Sequence, residues 1–249
     1  MSEQRSISIV VPGLNEERNI AAVIQGLNGA FAQGGIAYEL LVFDDGSSDN
    51  TFKIASGFTQ ADPRVRVFRN EINRGIGYCF KEGIRHSCCS HITFFPGDNQ
   101  GYPEDLYRLS LNLPKAQVLI AVPLYRRNDR SPLRRIISRV LTAIFTSFIA
   151  VRLAHVTNAV IYDKDLASGL DIRCNGFMFQ IEALLKAFRS AKSIFISKER
   201  IPIRPREHGQ TKAVRLRTLL ELFYLMWVLS SAFLLTHRNK FSSRPILLS

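Results

Sequence analysis

The sequence predicts an α/β fold: a mostly parallel sheet flanked by helices on both faces. Two observations predict it. Across residues 7–122, short β-branched or apolar runs alternate with segments of helical periodicity, the pattern of repeated strand–crossover–strand units. The polar clusters at 12–16, 44–49 and 98–100 fall where a strand gives way to the next segment. Open sheets of this kind bind ligands outside the carboxyl ends of their strands.

Residues 7–11 are a β-branched run suited to a buried strand. Pro12 and Gly13 end it. Asn15 is expected to cap the following helix, with Glu16 and Glu17 near the positive end of its dipole. Ile20, Val23, Ile24 and Leu27 then recur on one helical face, and Gly34-Gly35 breaks the helix. A second strand is expected at 39–43, a helix at 50–58 with Asp49 as its cap, and a third strand at 65–68. A helix at 75–86, a strand at 92–95, a helix at 103–113 with Pro first and a strand at 118–122 complete the alternation. Beyond Val122 the composition changes: residues 126–152 hold seven Arg and a single acid, Asp129. Residues 134–153 read as a helix whose apolar face is Ile136, Ile137, Val140, Leu141, Ile144 and Phe148. A helix over 174–189, one or two strands within 193–205 and a last helix from Thr211 to about His237 are expected to follow. No internal repeat is visible.

The chain has 249 residues and 46% apolar side chains, which excludes a disordered chain or a bare coiled coil. Its formal net charge of +12 calls for an anionic partner. Cys79, Cys88, Cys89 and Cys174 form no C-x-x-C pair, so they are expected to be reduced thiols rather than zinc ligands. Residues 1–6 are polar, and no signal peptide is expected. Basic and aromatic residues are not interleaved as in single-strand binders, which argues against a nucleic-acid partner.

Asp44-Asp45-Gly46-Ser47 puts two carboxylates at a strand end before a tight turn. Such a pair can hold a ribose or base edge, or help shape a cation site near a diphosphate; equally, Asp and Ser can satisfy the backbone donors of a strand-to-helix turn. Gly75, Gly77 and Gly83 do not make a dinucleotide fingerprint, because that pattern belongs in the first strand–helix turn. They suit close packing of a helix against the sheet or a bound nucleotide sugar. Asp98 offers a hard oxygen ligand for Mg²⁺ or Mn²⁺ and Gln100 a second, the alternative being a solvated turn.

Taken together, these loops resemble the family 2 glycosyltransferases with the GT-A fold. The matching residues are Val11-Pro12-Gly13-Leu14-Asn15-Glu16 for V-P-x-x-N-E, Asp44-Asp45-Gly46-Ser47 with Asp49 and Thr51, Asn73-x-Gly75-x-Gly77, and Asp98-x-Gln100 with Pro103-Glu104. The second half is similar to the polyprenyl-phosphate sugar transferases of the dolichol-phosphate mannose synthase type. It matches through 133–139 and through Pro202-x-x-x-Arg206-x-x-Gly209-x-Thr211-Lys212. The resemblance implies an inverting hexosyltransferase moving a sugar from a nucleoside-diphosphate donor to an undecaprenyl or dolichyl phosphate. The alternatives are a transferase that extends a cell-envelope glycan and a catalytically impaired nucleotide-sugar binder. The implied donor site is Pro12, Leu14, Glu16, Asp44, Asp45, Ser47 and Asp98. The resemblance likewise implies Asp98 as the catalytic residue and, with Gln100, as the site for Mg²⁺ or Mn²⁺. Pro96 stands where the family has the first Asp of Asp-x-Asp-x-Gln, and 156–159 depart from the relatives' Asp-x-x-x-Gly-Phe.

A phosphate acceptor is already anionic and needs no general base, but it needs cations to approach the donor diphosphate. Arg binds phosphate bidentately, and Arg126, Arg127, Arg134, Ser138, Arg206 and Lys212 are the expected cradle, Arg134 and Ser138 lying i, i+4 on one helical face. The alternative is a generic lipid-facing or solvated basic face. Residues 222–236 are apolar apart from two serines over about 15 residues, short of the roughly 20 a spanning helix needs. An interfacial helix is expected there, ahead of a core or oligomer-interface helix and then of a short transmembrane span. The expected organisation is a catalytic domain over 1–210 with acceptor segment 123–153, then a membrane-associating helix and tail over 211–249. Its expected location is cytoplasmic, peripheral on the inner face of a membrane, with homo-oligomers possible.

Overall fold

The structure is a computed structural model and describes residues 5–113, 115–124, 159–202, 204, 224 and 246–248. The expected helices at 134–153 and from 211, apart from Tyr224, lie outside them, as does the boundary at residue 210.

The elements in chain order are β1 (Ser6–Gly13), α1 (Ile20–Phe31), β2 (Ala37–Asp44), α2 (Thr51–Ala61), β3 (Val65–Arg69), α3 (Ile76–His86), β4 (His91–Phe94) and α4 (Pro103–Ser110). They continue with β5 (Val118–Leu124), β6 (Val160–Asp163), α5 (Lys164–Ser168), α6 (Phe179–Ser190), β7 (Ile194–Pro202) and β8 (Ile246–Leu248). The described strands form one sheet in the order β3-β2-β1-β4-β6-β5-β7-β8. All neighbours are parallel except β6, which runs antiparallel to both β4 and β5. The expected mostly parallel α/β sheet is present.

Side chains alternate along each strand, and that alternation builds two apolar layers. Ile7, Ile9 and Val11 of β1, with Leu40 and Val42 of β2, pack against Ile20, Val23, Ile24 and Leu27 of α1 and Leu106 and Leu109 of α4. Val10, Leu41 and Phe43 point the other way, onto Cys79, Phe80 and Ile84 of α3 and Phe179 and Leu184 of α6. Both faces of β1 are therefore dry, which is why its sequence is a continuous apolar run. Gly83 lets α3 lie against this strand: a Cβ there would come within 2.3 Å of Val10 Cγ2.

Several expectations are corrected. The first helix starts at Ile20 with Asn19 at its cap position, so Asn15 caps nothing and Glu16 and Glu17 precede the helix. Asn15 instead sits at φ 52 in the left-handed region that Asn tolerates. The helix expected from Cys174 begins at Phe179, because the preceding segment is held in non-helical form by Glu182. Strands β6 and β8 and helix α5 have no counterpart in the sequence reading; they are three to five residues long, too short to establish a period. The four cysteines form no disulfide, in line with the expected reduced thiols.

Candidate active site at the strand ends

The parallel register aligns the carboxyl ends of β1, β2, β3 and β4. Gly13 lies beside Asp44, Asp44 beside Arg69, and Val10 beside Phe94. The loops that leave these strands therefore share one rim, and they are tied to each other by hydrogen bonds.

The first two loops form a clasp. The backbone N–H groups of Asn15, Glu16 and Glu17 donate to Ser47 Oγ (2.9 Å), Thr51 Oγ1 (2.8 Å) and Asp49 Oδ2 (3.2 Å). In return, Asn15 Oδ1 accepts from the N–H of Ser48 at 2.9 Å, and Glu17 Oε2 from that of Asn50 at 3.1 Å. Asp45 N–H donates to Gly13 O. Asp49 also accepts from Thr51 N–H and its hydroxyl, which holds its carboxyl below the ordinary range against the opposing pull of burial. Asp49 thus serves the clasp as well as the start of α2.

The two adjacent aspartates have different environments. Asp45 is buried, and its oxygens accept from Asn70 Nδ2 (2.8 Å), Arg74 N–H (2.9 Å) and Gly75 N–H (2.8 Å). It anchors the β3–α3 loop. Asp44 is equally buried; Oδ1 accepts from Ser47 N–H at 3.2 Å, while Oδ2 has no hydrogen bond and lies 3.2 Å from Arg69 Nε. A buried carboxylate oxygen in that state is an acceptor awaiting an N–H or O–H. Arg69 is itself placed over the Phe52 ring.

The loop after β4 carries Asp98. Gly97 N–H donates to Pro12 O at 3.1 Å, and a Cβ on Gly97 would lie 2.6 Å from that oxygen, so the loop seats directly on the end of β1. Asn99 is left-handed at φ 57. Asp98 Oδ1 accepts from Gln100 N–H at 3.3 Å. Arg204, just after β7, closes the far side through its backbone and side chain. Pro12, Asp44, Asp45, Ser47, Glu16, Asp98 and Gln100 are thus brought to one rim, with Leu14 in the clasp loop between Pro12 and Glu16. Arg126, Arg127, Arg134, Ser138, Arg206 and Lys212 lie outside the described residues.

Asn70, Arg69 and Arg204 were absent from the sequence reading. Each lies at or just after the carboxyl end of β3 or β7, so the rule that flagged the other loops extends to them.

Gly75, at φ 99, brings the start of α3 against the segment before α6: a Cβ there would lie 2.3 Å from Asn175 O. Gly77 N–H donates to that oxygen at 2.7 Å. The glycines therefore serve packing against the sheet and this segment. Gly75→Ala is expected to cost about 3 kcal/mol, from the positive φ and the backbone clash together. Urea denaturation checks it; an unchanged midpoint would mean the segment yields freely.

The residues present fit a divalent cation in a limited way. Asp98 supplies a carboxylate and Gln100 an amide oxygen, both hard donors. Pro96 removes a further carboxylate, and among the described residues no cluster of three or more His, Cys, Asp or Glu is placed to hold a metal. This set suits an ion whose remaining ligands come from a bound diphosphate and water.

Residues 8–170 match the model for glycosyl transferase family 2. The chain is a family 2 glycosyltransferase. Over 151 residues this glycosyltransferase is 30% identical to an uncharacterized protein of Methanocaldococcus jannaschii, covering 59% of this chain and 62% of that one. Over 184 residues it is 26% identical to the undecaprenyl-phosphate 4-deoxy-4-formamido-L-arabinose transferase of Shewanella sediminis, covering 69% of this chain and 55% of that one. It therefore spans less than two thirds of the length of these relatives. Among solved structures, glucosyl-3-phosphoglycerate synthase from Mycobacterium tuberculosis, in complex with Mn²⁺, UDP-glucose and phosphoglyceric acid, matches with a TM-score of 0.70 at 19% identity, covering 91% of this chain and 80% of that one. S. aureus TarS, in complex with UDP-GlcNAc, matches at 0.64 and 17%, covering 92% and 66%. Those likenesses establish the GT-A fold.

Proposed function

We propose that this glycosyltransferase moves a hexose from a nucleoside-diphosphate sugar to a polyprenyl phosphate, working at the cytoplasmic face of a membrane. The observation that carries the reading is the contact of Arg204 with Asn99 and Gln100. It brings the chain leaving β7 onto the Asp98 loop, and Arg206 follows two residues later. Arg204, which contacts the loop named for the donor, is thus two residues in sequence from the first cation named for the acceptor after β7. The undecaprenyl-phosphate transferase among the relatives supports the lipid acceptor.

On this reading Asp44 Oδ2 accepts from the base edge of the donor nucleotide, and the Pro12–Glu16 clasp shapes the wall beside it. A divalent cation on Asp98 and Gln100 would supply positive charge to the diphosphate. The acceptor phosphate oxygen attacks the anomeric carbon in line; the new C–O bond forms as the bond to the diphosphate breaks, inverting the carbon. No proton has to be removed from an ionised phosphate. Glu182, on α6, is fully buried and its carboxylate is taken up by donors within the fold, so it holds structure rather than acting as a base.

Among the described residues no helix is long and apolar enough to cross a membrane. Peripheral attachment through 211–249 and the excess of Lys and Arg, 33 against 21 acids, belongs to the same proposal. The test is a panel of UDP-, GDP- and dTDP-sugars against undecaprenyl phosphate, a short glycan and phosphoglyceric acid. Arg134→Ala is expected to lower transfer to undecaprenyl phosphate at least about 100-fold with nucleotide binding kept. Transfer to the glycan alone, or unchanged lipid transfer in that variant, would overturn the acceptor assignment.

A further inference from the structure

We propose that Arg204 is a positioning residue for the cation-binding loop: its guanidinium locks Asn99, the residue between Asp98 and Gln100, while its main chain holds the Gln100 amide. The proposal rests on the donor-site reading above.

Four contacts converge on this residue. Its backbone N–H donates to Gln100 O at 2.9 Å, and its carbonyl accepts from Gln100 Nε2 at 3.2 Å. Its Nη1 donates to Asn99 Oδ1 at 3.3 Å, and its guanidinium carbon lies 4.2 Å from the centroid of the Tyr102 ring. The loop therefore has a rigid floor and a separate latch. The floor is Gly97 on Pro12 and Gly101 against the Phe95 ring, where a Cβ would come within 2.6 Å. Neither floor contact touches Asn99, Asp98 or the Gln100 side chain. Asn99 and the Gln100 side chain are held from the Arg204 side, and Asp98 accepts from Gln100 N–H inside the loop.

The division of labour follows from the chemistry. The bond from Gln100 Nε2 to Arg204 O fixes which end of the amide is turned away, leaving Oε1 as the ligand atom. A planar guanidinium can stack on Tyr102 and donate in its own plane to Asn99 at the same time. An ammonium at that position keeps the charge but not the combination. With Pro96 in place of a carboxylate, the loop has few ligand atoms, so their placement governs how tightly a cation joins a bound diphosphate.

The experiment is calorimetric titration of the whole chain with UDP, GDP and dTDP, each with and without Mn²⁺. For the nucleotide that binds, Mn²⁺ is expected to strengthen binding in the unsubstituted protein. In Arg204→Ala that enhancement is expected to fall about tenfold, with metal-free affinity unchanged within about twofold. Arg204→Lys is expected to behave like Arg204→Ala. Asn99→Gly accommodates the left-handed backbone while deleting the acceptor; it is expected to lose the same enhancement, and the double variant to lose no more. It also serves if Arg204→Ala fails to fold. Full enhancement in Arg204→Ala or in Asn99→Gly, rescue by Lys, or additive losses would each overturn the positioning role. No Mn²⁺ enhancement with any nucleotide in the unsubstituted protein would instead overturn the metal reading, and this inference with it.

Discussion

Asp98→Ala is expected to lower turnover about 10³-fold while metal-free nucleotide affinity changes by less than about twofold. Tenfold in rate is about 1.4 kcal/mol, so the loss corresponds to about 4 kcal/mol of transition-state stabilisation. The size follows from the site's composition. Pro96 leaves Asp98 without a carboxylate two residues earlier to share its task. The loop is also fixed on the end of β1 by the bond from Gly97 to Pro12. Asp98→Asn separates charge from shape: it keeps an oxygen in place and is expected to lose nearly as much. Initial rates at saturating donor with varied Mn²⁺ check both variants. If Asp98→Ala keeps more than about a tenth of turnover with the same Mn²⁺ dependence, the cation is held elsewhere.

Glu182→Ala is expected to destabilise the fold by about 4 kcal/mol. Glu182 has no exposed surface, and four groups donate to its carboxylate. They are the N–H groups of Arg173 (3.0 Å) and Cys174 (2.7 Å), Lys186 Nζ (2.7 Å) and the Tyr224 hydroxyl (3.2 Å). Removing it takes the acceptor from two backbone donors, that of Cys174 in a buried residue, while Lys186, 21% exposed, keeps its bond to Asp171 O. Burial pushes the Glu182 carboxyl up, but those bonds outweigh it and hold the group below its ordinary value of 4.5. Its native value being lower than its unfolded value, it stabilises the protein fully above about pH 4.5, and the contribution disappears as pH falls through the native value. Glu182→Gln should therefore flatten the acid limb of the stability curve while costing less than Ala at neutral pH. Urea unfolding from neutral pH down to about pH 3 reads both effects. An acid limb identical to the unsubstituted protein's would show that Glu182 is not ionised in the fold.

The effect of Glu182 reaches the rim. The segment it holds ends at Asn175, whose carbonyl accepts from Gly77 at the start of α3. Arg74 and Gly75, just before α3, donate to Asp45. Loss of Glu182 should thus loosen the donor side along with the core. Tyr224 packs on the same apolar layer.

Periodicity and loop chemistry alone determined the parallel α/β sheet and the rim that carries the site. Strands buried on both faces must be apolar runs, and a soluble loop after each must carry the polar groups; Pro12, Asp44 and Asp98 are legible for that reason. Tertiary structure alone decided what each polar group does. Asn15 has the composition of a helix cap but binds Ser48, because the clasp with the second loop offers it a partner. Asp44 and Asp45 are indistinguishable as letters, yet one has three donors and the other keeps a buried oxygen unbonded. Arg204 meets Asn99 across 105 residues, and Glu182 meets Tyr224 across 42. Hydrogen bonds are short-range and directional, so their partners are fixed only once the sheet order has brought distant segments within about 3 Å.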